Sequence, residues 1–178
     1  HVLSEALNSE NMINLKLPKY DVISLRKLAA NEINKKNFTL IIESYRLDYD
    51  DDIGFIGEWN PHEITTISQF KREIKKSGNN LWGDHILLQL LQEKLKLNVI
   101  ILNSDNLEYT DIEERCTIHP LASKDLSKTQ KTIIIFYLDE FHFQLIGYFD
   151  GNTMKSIFNY DEIPSILLDV YNKDCRNI

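Results

Sequence analysis

Residues 131–149 read KTIIIFYLDEFHFQLIGYF, and this stretch decides the fold. Its first eight residues, Lys131 to Leu138, are rich in β-branched and aromatic side chains, which suits a strand buried on both faces. Asp139 and Glu140 break the run as a turn, and Phe141 to Phe149 return as a second strand, so the whole predicts a hairpin. Upstream, Asn98 to Leu102 is another β-rich run. It comes after a helical stretch, His85–Leu95, whose Leu87, Leu88, Leu90, Leu91 and Leu95 make a wide apolar surface, with Asp84 placed to cap it. Downstream, Met154 to Phe158 predicts one more short strand.

Further out the periodicity is helical. Val2–Leu7 predicts a helix, and Leu15–Tyr20 with Pro18 a linker. Asp21 is placed to N-cap a helix carrying Ile23, Leu25, Leu28, Ala29 and Ile33 at helical spacing. Phe38–Tyr45 predicts a short helix, succeeded by an acidic loop over Asp48–Asp52. Ile64, Ile67, Phe70 and Ile74 form an amphipathic stripe that stops at Ser77, Gly78, Asn79 and Asn80. A last helix runs through Ile166, Leu167, Val170 and Tyr171, with Pro164 in its first turn. Helices first and strands later predict an α+β domain, its mostly antiparallel central sheet flanked by helices.

Composition bounds the rest. The 178 residues fit a single domain over 1–178, and 43% hydrophobic content suffices for a core. The net charge of −7 argues against nucleic acid as a partner and favours one with a basic face. No apolar run approaches the roughly 18 residues that a membrane span requires, so no membrane association is expected. Two distant cysteines, Cys116 and Cys175, make no disulfide framework, which points to a reducing compartment, cytoplasmic or nuclear. The chain opens at His1 rather than methionine and is read as a piece of something longer. Its abundance of Asn, Ile and Lys fits an AT-rich genome, such as that of a large DNA virus or a protist.

Among five histidines, His142 stands apart because it opens the returning strand of the hairpin between Phe141 and Phe143. A base there is rigidly held, and thiol proteases use such a histidine to take the proton of a cysteine distant in sequence. The bland alternative is an aromatic-flanked strand histidine. Cys116 and His119 have the spacing of half a zinc site, but no second pair is near, so no metal is expected. Asp48, Asp50 and Asp52 alternate like a calcium loop, yet Ile53 and Trp59 stand where that loop needs glycine and glutamate. No glycine-rich phosphate loop or serine nucleophile elbow is present, and no cofactor is expected.

Two segments together resemble the ovarian-tumour (OTU) family of cysteine proteases. Trp82-Gly83-Asp84, running through Leu91 to Leu97-Asn98-Val99-Ile100-Ile101-Leu102, is similar to that family's tryptophan–glycine–glycine block with its helix and strand. Ile133–Tyr137 with Phe141-His142-Phe143-Gln144-Leu145 after it is similar to the segment carrying the family's catalytic base. The opening His1-Val2-Leu3-Ser4-Glu5-Ala6-Leu7 resembles the residues just after the family's nucleophile block, which puts the cysteine upstream of His1, outside the chain. Asp84 stands where the family has its second glycine, and Gln144 where it often has aspartate or asparagine.

The resemblance implies a papain-like OTU fold and a monomeric deubiquitinase that cleaves the isopeptide bond after ubiquitin's C-terminal glycine. Its partner would be ubiquitin, polyubiquitin or a ubiquitin-like modifier. His142 would be the base and Gln144 its orienting group, while Phe143, Trp82 and Gly83 would line the substrate groove. The departures at Asp84 and Gln144 leave a second expectation open, an inactive ubiquitin-binding or interaction module on the same fold.

Overall fold

In a computed structural model, the structure describes residues 1–9, 19–51, 57–78, 81, 84–103, 126–138, 142–149, 151–170 and 172. The architecture is α+β, with six α-helices and six strands among those residues. The helices are α1 (Val2–Leu7), α2 (Val22–Glu32), α3 (Phe38–Asp50), α4 (Ile67–Lys75), α5 (His85–Leu95) and α6 (Ser165–Val170). The strands are β1 (Leu97–Asn103), β2 (Lys131–Leu138), β3 (His142–Ile146), β4 (Tyr148–Phe149), β5 (Met154–Lys155) and β6 (Ile157–Phe158). The chain groups into two compact units, Asp21–Lys94 and a second formed by His1–Tyr20 with Leu95–Ile178.

The second unit is built on β2, where Ile133, Ile134 and Ile135 are all buried, as expected of a strand covered on both faces. β1 pairs with β2 in parallel, while β3 and β6 pair with it antiparallel on its other side. The sheet is therefore mixed, with two antiparallel pairings and one parallel. A parallel neighbour needs a long crossover, and residues 104–130 separate β1 from β2. The register is pinned by buried Asn98. Its amide donates to the Ser127 carbonyl at 2.8 Å and to Thr132 Oγ1 at 3.1 Å, and its Oδ1 accepts the Ser127 N–H at 3.0 Å. On one face Ile100 and Ile134 pack with Leu126, Phe158 and Ile163. α1 lies against β3 and β2 and buries Leu3, Ala6 and Leu7.

The returning strand does not run unbroken to Phe149. β3 leaves the sheet after Ile146, β4 and β5 form a small hairpin of their own, and β6 rejoins β2 at Thr132 and Ile133. Gly147 sits at the break. A Cβ there would stand 2.5 Å from Met154 Sδ and 3.1 Å from the Lys155 carbonyl, so the close return of β5 leaves little room for a side chain.

The unit Asp21–Lys94 is helical. Asp21 caps α2 by accepting the Ser24 N–H at 2.6 Å, and Thr66 with Gln69 forms a capping box on α4. α2 packs on α4, and Arg26 donates to the carbonyls of Ile74 (3.1 Å) and Leu81 (2.7 Å), satisfying acceptors at and beyond the end of α4. At the centre, the Phe70 ring stands 6.2, 5.8 and 5.9 Å from those of Phe38, Tyr45 and Trp59. α3 outruns its expected end. Asp48 and Asp50, expected in a loop, belong to its last turn, where Asp50 Oδ1 meets His62 Nε2 at 2.8 Å.

Candidate active site

The hairpin ladder positions the expected base. Leu138 stands across from His142, Tyr137 from Phe143 and Phe136 from Gln144. The backbone of His142 thus opens β3, as its place in the hairpin predicts; its side chain lies outside what the structure describes. Phe143 is half-buried, its ring 4.7 Å from that of Tyr137, a cross-strand pair that holds the two strands in step. Gln144 is exposed, so its amide competes with water for any partner.

The first helix comes to the same strand. α1 lies against β3, and its far end is tied down by a two-way bond. Asn8 donates from Nδ2 to the Tyr20 carbonyl at 2.6 Å and accepts the Tyr20 N–H at 3.0 Å. The Ser4 hydroxyl donates to the same carbonyl at 2.6 Å. Helix α1 and the strand that His142 opens are therefore neighbours in one unit.

Trp82 and Gly83, expected to shape the groove, lie outside the described residues, as do Cys116, His119 and Cys175. Asp84, by contrast, is described. It is half-buried, its Oδ1 accepts the Leu87 N–H at 3.0 Å as the cap of α5, and its Oδ2 accepts the Tyr45 hydroxyl at 2.6 Å. Burial raises the Asp84 carboxyl above its ordinary range, opposed by the two hydrogen bonds. Burial, and then the neighbouring Asp84, push the Tyr45 hydroxyl well above its usual value. The capping role was legible from an aspartate preceding an apolar run. The Tyr45 partner, 39 residues away, left no local signal.

Among the described residues, no group of three or more His, Cys, Asp or Glu is arranged to hold a metal ion, and no helix is long and apolar enough to cross a membrane. His85 begins α5, and His62 is engaged with Asp50. Compared with known protein families the chain matches none, and no curated protein matches it.

Proposed function

We propose that this chain is the greater part of a papain-like, OTU-type cysteine protease that removes ubiquitin or a ubiquitin-like modifier. The observation that carries the reading is the packing of α1 against β3, the strand that His142 opens. In this reading a cysteine preceding His1 attacks the carbonyl carbon of ubiquitin's terminal glycine. Its sulfur forms the thioester as the C–N isopeptide bond breaks, and the leaving lysine amine takes the proton that the His142 imidazole drew from the thiol. Water then hydrolyses the thioester, with the imidazole as base, and restores the thiol. Backbone N–H groups of the cysteine loop stabilise the oxyanion, each worth roughly 3–4 kcal/mol. Phe143 shapes the site through its pairing with Tyr137 and takes no part in the chemistry.

The test uses the full-length protein. Ubiquitin carrying a C-terminal electrophile is expected to label one cysteine preceding His1, and His142→Ala is expected to lower polyubiquitin cleavage by at least about 10³-fold. Cleavage that survives His142→Ala removes the imidazole from the mechanism. The exposure of Gln144 favours a second reading, a ubiquitin-binding module without chemistry. Saturable ubiquitin binding with neither labelling nor cleavage is its outcome.

A further inference from the structure

The surface of α3 carries two leucines that its own packing leaves unused. Leu40 and Leu47 are 77% and 62% exposed, whereas Ile42 and Tyr45 are buried. At 100° per residue, positions 40 and 47 fall within about 20° of one another, on the side away from the buried face. The two stand two turns apart, roughly 10 Å along the axis. Carboxylates border this ridge on both sides: Glu43 and Asp50 along one flank, Asp48 and Asp51 along the other and at the end. Glu43, Asp50 and Asp51 are exposed. The one cation within α3, Arg46, pairs with Glu43 at 2.6 Å and donates to the Ile64 carbonyl at 2.8 Å, and His62 meets Asp50 at 2.8 Å, so the acidic character of the border rests on Asp48 and Asp51.

We infer that this face of α3 is a docking surface for a basic amphipathic helix on a partner protein, one with leucine-like side chains along a stripe and lysine or arginine beside them. Two apolar side chains seven residues apart match the spacing of the apolar stripe on a second helix. The acidic border selects the sign of the partner's charge and speeds encounter. A second copy of this chain is the wrong occupant, because a twofold pairing would set like carboxylates against one another. The inference stands whether or not the chain is a hydrolase.

The probe is an 18-residue peptide of leucine and lysine with its leucines on one helical face, titrated into the isotope-labelled chain and tracked by amide shifts. Saturable binding is expected, with shifts centred on residues 39–51. It should weaken at least tenfold in the variant Leu40→Ser/Leu47→Ser, whose unfolding midpoint stays near that of the parent because both side chains are exposed. It should weaken also in Asp48→Asn/Asp51→Asn and for a peptide of the same composition whose leucines share no face. Equal binding of the scrambled peptide or of either variant, shifts centred elsewhere, or no saturation overturns the inference.

Discussion

The units Asp21–Lys94 and Leu95–Ile178 with the first helix build their interiors from different stock. In the helical unit the centre is a few large rings, with Phe70 touching Phe38, Tyr45 and Trp59, and a polar bond from Tyr45 to Asp84 fastens α3 to the start of α5. In the strand unit the centre is many similar aliphatic side chains in a ladder, and the polar group, Asn98, serves register instead. The difference concerns where stability is concentrated. A ladder of isoleucines spreads its burial over equivalent residues, whereas a ring cluster concentrates it in one.

Phe70→Ala therefore tests the contrast most severely. The substitution empties the point where three rings meet and is expected to cost about 3–5 kcal/mol, read from denaturant unfolding. Hydrogen exchange should report the loss at amides of Asp21–Lys94 ahead of those of β1 and β2. Loss at equal rates in both units would break the comparison.

Tyr45→Phe comes next, at about 1–3 kcal/mol, because it leaves a half-buried carboxylate oxygen without its donor. Asp84→Asn sharpens the same point through pH. The Asp84 carboxyl is raised in the folded state, chiefly by burial, above the ordinary 3.8 at which it titrates in the unfolded chain. The folded form thus holds this proton more firmly, and its contribution to stability falls as pH rises from about 3.8 through the folded value, then levels. Relative to Asp84→Asn, the parent should show that decline in unfolding free energy measured across acidic pH. A difference that grows with pH instead would reverse the sign of the burial argument.

The smallest effect belongs to the strand unit. Gly147→Ala is expected to cost about 1 kcal/mol, since the nearest obstacle is the flexible and exposed end of Met154. Met154→Ala in the same chain should recover most of that loss in a double-mutant cycle.

Regular elements were legible where one face carried an unbroken apolar pattern. His85–Leu95 and Lys131–Leu138 form with the bounds their periodicity predicts. The end of α3 was not, because aspartates near a helix C-terminus oppose the helix dipole and look like a loop. Contacts from afar reverse that preference: His62 meets Asp50, and Arg46 reaches Pro61 and Ile64. The break at Gly147 had its sign in the glycine itself, masked by an otherwise regular alternation. Of the candidate site, the strand place of His142 was readable from the hairpin, whereas the packing of α1 on β3 joins residues far apart in the chain and has no local trace.

The Asn98 bracket has a consequence for how this protein can change over time. The amide grips Ser127 from both sides, so the two parallel strands are aligned near their first rung. Change over time is therefore constrained at Asn98, where a substitution would take this partner from both the N–H and the carbonyl of Ser127.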